Sequence, residues 1–83
     1  MPKIPRDLSG IELAELLQKF GYLITRQSGS HIRLTSSFSG RTHHITIPSH
    51  SPIKIGTLNK ILKEIADYLK IDKQSLIKEL FEK

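Results

Sequence analysis

Eighty-three residues with no cysteine, 37% apolar and 25% charged side chains describe one small globular domain rather than a disordered segment. The absence of cysteine excludes disulfides and zinc–thiolate sites, and no apolar run approaches the roughly 18–20 residues needed to span a bilayer. The formal charge of +5 points to an acidic partner, either nucleic acid or an acidic protein, although a merely soluble basic surface has the same composition.

Met1 to Asp7 lacks the apolar stretch of a signal peptide, so a cytoplasmic location is expected, with no membrane partner. Ser9-Gly10-Ile11-Glu12 reads as a capping box at the start of a first helix. Leu13, Leu16, Leu17 and Phe20 then recur at helical spacing, and Gly21 sits where a left-handed residue would end it. That apolar stripe is ordinary core. Tyr22 to Gln27 is short and rich in strand formers, and Ser28-Gly29-Ser30 is a tight connection into a second strand from His31 to about Thr35. Alternation turns Ile32 and Leu34 one way and His31, Arg33 and Thr35 the other. After a polar turn containing Gly40, a third strand from Thr42 to Ile47 puts His43, Ile45 and Ile47 on one face and Thr42, His44 and Thr46 on the other, with Pro48 closing it.

A loop from Ser49 leads to a second helix, for which Gly56 or Thr57 is placed as cap. Leu58, Ile61, Leu62, Ile65 and Leu69 form its stripe, with Lys60 and Lys63 toward solvent. Asp72 can cap a last short helix carrying Leu76, Ile77, Leu80 and Phe81. The order α-β-β-β-α-α implies an α+β fold. A three-stranded antiparallel meander would be covered by helices on one face and open on the other. No internal repeat or linker divides the chain, so residues 1–83 read as one domain.

The charges are segregated along the chain. Between Leu16 and Lys63 there is no aspartate or glutamate, yet all four histidines and seven Lys/Arg lie there. A surface that binds a polyanion excludes carboxylates in this way, and their absence leaves imidazole as the proton-transfer group of that region. The open sheet face would present His31, Arg33 and Thr35 beside Thr42, His44 and Thr46, groups suited to phosphate contact. A single exposed strand histidine is usually solvated filler. His31 differs in following a Gly-Ser turn that permits close approach, inside a carboxylate-free basic zone. Four histidines could also suggest a metal, but His43 and His44 point to opposite faces and no Cys, Asp or Glu is near in sequence to complete a shell. No metal or other cofactor is expected. His50 either flanks the active surface or only hydrogen-bonds its own loop. Lys54, Lys60 and Lys63 suit backbone-phosphate contacts, while solvated lysines on a helix face are the commoner case.

An ordered set of short motifs spans roughly residues 8–81: Ser9-Gly10, Phe20-Gly21-Tyr22, Gly29-Ser30-His31, Ile45-Thr46-Ile47-Pro48-Ser49-His50, and Gly56-Thr57-Leu58 with Ile61-Leu62. In this the chain resembles the HicA toxins (the YcfA-like family). The resemblance implies a fold similar to a double-stranded-RNA-binding domain, and an mRNA interferase of a type II toxin–antitoxin system neutralised by a HicB antitoxin. It maps the family's catalytic histidine onto His31. Ser51-Pro52-Ile53 replaces a commonly charged stretch, and the tail from Lys70 to Lys83 is longer and forms its own helix.

On this reading a metal-free ribonuclease uses the 2′-OH of its own substrate as nucleophile, with His31 as base and Arg33 or Lys54 stabilising the phosphorane charge. The RNA contacts are expected from Gly29, Ser30, Arg33, His44, His50, Lys54 and Lys60. His44, His50 or water are open as the leaving-group acid, and no direct DNA binding is expected from this chain alone. Two other classes stay open: a non-catalytic RNA-binding module of the same fold, and an interaction domain whose basic surface receives an acidic protein.

Overall fold

The computed structural model describes residues 4, 7–49 and 52–81. Its elements are α1 (Gly10–Leu17), a 3₁₀ turn (Gln18–Phe20), β1 (Leu23–Ser28), β2 (His31–Ser36), β3 (His43–Pro48), α2 (Ile55–Leu69) and α3 (Lys73–Phe81). The strands form one antiparallel sheet in the order β1-β2-β3, so the expected α-β-β-β-α-α layout holds.

Local chemistry accounts for most boundaries. Ser9 accepts from the Glu12 amide at 3.1 Å, and Glu12 accepts from the Ser9 amide at 3.0 Å, closing the capping box. The last turn of the first helix tightens to 3₁₀ before Gly21 ends it at φ +79°. Asp72 caps α3 through the Ser75 amide at 3.0 Å and the Ser75 hydroxyl at 2.8 Å. The expected cap of α2 at Gly56 or Thr57 does not form. That helix begins earlier, at Ile55, with Lys54 in the extended N-cap position and no side chain capping it. Thr57 therefore lies in the first turn with its side chain exposed.

The inner face of the sheet packs against the helices. Ile32, Leu34 and Ile47 are fully buried and Ile45 nearly so, against Leu13 and Leu17 of α1 and Leu58, Leu62 and Ile65 of α2. Each contributes roughly 1.5–3 kcal/mol by leaving water. Leu76, Ile77 and Leu80 of α3 join the same core. On the other face His31, Arg33, His44 and Thr46 are exposed and Thr35 partly so, as alternation predicts.

One irregularity decides what enters the core from β1. Pairing runs Ser28↔His31, Gln27↔Ile32 and Arg26↔Arg33, then shifts to Ile24↔Leu34 and Leu23↔Thr35, leaving Thr25 as the extra residue of a bulge. Unbroken alternation would carry Tyr22 to the open face. The extra residue reverses that parity, and Tyr22 lies fully buried. Its hydroxyl meets His43 Nδ1 at 2.7 Å, while His43 Nε2 lies 3.0 Å from Glu64 Oε2 on α2. The His43 ring stacks on Tyr68, with centroids 4.7 Å apart and planes at 17°. Burial above all, with Tyr68 and Glu64 adding, pushes the Tyr22 phenol well above its ordinary range, so it stays protonated and available as donor. Tyr68 also donates to Arg41 O and accepts from the Ser39 amide at 3.1 Å, tying the β2–β3 turn to α2.

Gly10 sets how closely α1 meets β3. A Cβ there would lie 2.0 Å from Pro48 O and 2.8 Å from Ser49 Cα, both backbone atoms that cannot swing away. Helix propensity favours alanine over glycine, yet Gly10→Ala is expected to lower stability by about 1–3 kcal/mol through overpacking. Urea unfolding checks the sign. A stabilised variant would mean α1 is not seated on the end of β3.

The two capping carboxylates predict a pH dependence. Bonds from the Ser9 backbone and then its side chain hold Glu12 below its ordinary value of 4.5. The Ser75 side chain and then its backbone do the same for Asp72, below 3.8. A carboxyl depressed in the folded state stabilises above its unfolded pKa, and that stability is lost as pH falls through the folded value. Unfolding free energy should therefore decline below about pH 4.5, with a shallower decline in the double variant Glu12→Gln/Asp72→Asn. Identical acid limbs in variant and wild type would remove the caps as the cause.

Candidate nucleic-acid interface

The two-residue connection Gly29-Ser30 fixes the register of the first hairpin. Gly29 adopts φ +56°, a conformation glycine takes at no steric cost, and a Cβ there would meet nothing within 4 Å. Ser28 consequently faces His31, and every later pair in this part of the hairpin follows. The Ser49 amide donates to Ser30 O at 2.7 Å, so the turn is anchored on the β3 side too.

The open face can be read as three rungs across the sheet. Ser28, His31 and Pro48 form the first; Arg26, Arg33 and Thr46 the second; Leu23, Thr35 and His44 the third. The third is knitted by hydroxyls. Thr25 Oγ1 lies 3.0 Å from Thr35 Oγ1, which lies 2.9 Å from His44 Nδ1.

At the first rung the sheet meets the start of α2. His31, Thr46, Pro48, Lys54 and Thr57 line a cleft of about 380 Å³. Lys54 is the N-cap residue of α2, so a cation and the positive end of a 15-residue helix dipole face the same space as the imidazole. The first turn of α2 holds no acid, and neither does any position between Leu16 and Lys63. An anion placed in the cleft would meet an ammonium, backbone N–H groups, hydroxyls and a histidine.

The site residues expected from sequence divide accordingly. His31 and Lys54 line one cleft, and Gly29 and Ser30 form the turn that delivers His31. Arg33 is exposed on the next rung. His44 is exposed but stands four pairs along the sheet from His31, roughly 13 Å. That is too far to protonate a leaving group on a phosphate held at His31. Lys60 is exposed on α2 outside the cleft lining, and His50 lies outside the described residues. Among the described residues no group of three or more His, Asp or Glu side chains could hold a metal ion.

Two contributors escaped the sequence reading as site residues. Thr57 lines the cleft from α2, and Arg26 stands directly opposite Arg33, while Thr46, already expected on the open face, lines the cleft from β3. Arg26 could have been found: a two-residue turn at Gly29-Ser30 forces Ser28 against His31, and two steps back gives Arg26 against Arg33. Thr57 left no such signal, because its role depends on where α2 begins.

No curated protein and no solved structure gives a match. The family model described as the HicA toxin of bacterial toxin–antitoxin systems matches residues 10–66, from the start of α1 through the three strands and most of α2. This stretch contains the turn, the open sheet face and the cleft, and it makes up more than half of the chain; the protein belongs to the HicA toxin family, and is a toxin of a toxin–antitoxin system.

Proposed function

We propose that this toxin is an endoribonuclease that cleaves mRNA with His31 as general base, without a metal, and that a HicB-type antitoxin neutralises it. The observation that carries the reading is the shared cleft of His31 and Lys54 at the uncapped start of α2. Transesterification needs a base to take the 2′-OH proton and fixed positive charge where the phosphorane develops. His31 supplies the first. Lys54 and the α2 N-terminus supply the second, and Thr46 and Thr57 offer hydroxyl donors to the phosphoryl oxygens.

In the step itself His31 removes the 2′ proton, and the 2′ oxygen forms a bond to phosphorus as the bond to the 5′ oxygen breaks. The departing oxygen takes a proton from water. The products are a 2′,3′-cyclic phosphate and a 5′-hydroxyl, and DNA, which lacks the nucleophile, is not cleaved. Gly29, Ser30, Arg33, His44, His50, Lys54 and Lys60 serve as RNA contacts in this reading. The antitoxin acts most directly by covering the basic open face with an acidic surface.

His31→Ala leaves every Lys and Arg in place and, since the side chain is exposed, creates no core cavity. Stability should shift by under about 1 kcal/mol and RNA affinity by little, while cleavage falls by on the order of 10²-fold or more. The assay is one RNA with purified wild type and variant in chelator, with end-group analysis of the fragments. Equal cleavage by both proteins would remove His31 as the base. Binding without cleavage by the wild type would favour a non-catalytic RNA-binding module.

Lys54→Gln separates a charge acting at the reacting phosphate from one that only attracts RNA. Loss concentrated in kcat is expected, because the phosphorane carries more charge than the bound phosphodiester. A change confined to KM, at any salt, would assign Lys54 to binding alone.

A further inference from the structure

We propose that Arg26 and Arg33 together form a phosphate subsite on the open face, one rung from His31, that holds the phosphodiester neighbouring the one being cleaved. The proposal rests on the ribonuclease reading above for the meaning of "neighbouring", but not for the existence of an anion site. The register places the two arginines directly opposite each other on adjacent strands, both exposed. Opposed residues on one face have Cβ atoms about 4.5–5.5 Å apart, and like charges in that arrangement repel. Neither guanidinium forms a salt bridge among the described residues, and the sequence holds no acid from Leu16 to Lys63 to relieve them. An anion on another molecule would relieve this repulsion beyond what solvent screening does.

Geometry favours a phosphate as that anion. Each guanidinium is a planar fork that binds a phosphate through two parallel N–H bonds, and two forks side by side enclose one anion from both flanks. The same rung ends in Thr46, whose register partner is Arg33 and which also lines the His31 cleft, so the arginine pair is continuous with the cleft. Arg33 lies two residues from His31 on the same face, roughly 7 Å along the strand. The backbone beneath is pinned: the Thr25 hydroxyl donates to Arg33 O at 3.4 Å and meets Thr35 Oγ1 at 3.0 Å. β1 is exposed along its whole length, so nothing among the described residues covers Arg26.

The test uses a 2′-O-methyl RNA decamer, which cannot be cleaved, titrated with wild type, Arg26→Gln and Lys78→Gln at several salt concentrations. Lys78 removes the same charge from the exposed surface of α3, on the helical side. Arg26→Gln should weaken binding roughly tenfold and flatten the slope of log K against log salt by about 0.7, the value for one phosphate contact on a single strand. Lys78→Gln should change the slope much less. Because Arg26→Gln relieves a repulsion, its melting temperature should hold or rise, so weaker binding cannot be put down to unfolding. Equal effects from the two variants would overturn the subsite. Unchanged RNA binding in Arg26→Gln together with weakened binding of an acidic antitoxin protein would overturn it in favour of a protein contact.

A cleavage arm separates this proposal from the reading it rests on. In wild type, extending a cleavable dinucleotide to a tetranucleotide should raise kcat/KM, and Arg26→Gln should lose most of that gain through KM. If wild type cleaves neither substrate, the ribonuclease reading fails. The arginine pair is then judged on the decamer alone.

Discussion

Everything on the open face depends on the Gly29-Ser30 turn. A two-residue connection leaves the hairpin no freedom of register, and in a sheet a slip of one residue would exchange the two faces. Ile32 and Leu34 would then meet solvent, while His31 and Arg33 would be driven into a core that offers them no partners. Burial of Ile32 and Leu34 therefore locks the histidine outward as firmly as it locks the isoleucine inward. Placement of His31 and core stability are the same constraint seen from two sides of the strand.

The Thr25 bulge reconciles two demands that one alternating strand cannot meet. Near the turn, β1 pairs Arg26 with Arg33 on the open face; at its other end the chain delivers Tyr22 to the core. A single extra residue changes the parity between them. On the inner side Tyr22 then reaches His43, and His43 reaches Glu64 and stacks on Tyr68, so three segments far apart in sequence meet at one imidazole. On the outer side the bulged residue is not wasted, since its hydroxyl joins Thr35 and His44 in a chain across the sheet.

Charge is sorted by the fold as well as along the chain. The carboxylates within the described residues lie on or beside the helices: Glu12 and Glu15 on α1, Glu64 and Asp67 on α2, Asp72 and Glu79 at α3, and Asp7 just before α1. Several have structural employment as caps or, in Glu64, as the partner of His43. The sheet carries none. Its positive charge comes from Arg26 and Arg33, with Lys54 and the start of α2 beside the first rung.

Much of this was fixed by the sequence itself. Apolar periods of 2 and 3.6 gave the order of elements and the inner and outer residues of β2, β3 and α2, because side-chain direction is a local property of the backbone. The Ser9–Glu12 box and the Asp72 cap were legible for the same reason, being closed within three residues. The absence of acid from Leu16 to Lys63 is likewise plain in the sequence, as is the Gly-Ser turn that precedes His31. What the sequence could not determine involves distance between elements. That Lys54 shares a cleft with His31, that Thr57 lines it instead of capping α2, and that Gly10 touches Pro48 all depend on how α1 and α2 settle on the sheet. That settling is decided by packing of the shared core, in which residues many positions apart fill one space at once, so only the tertiary structure decided it.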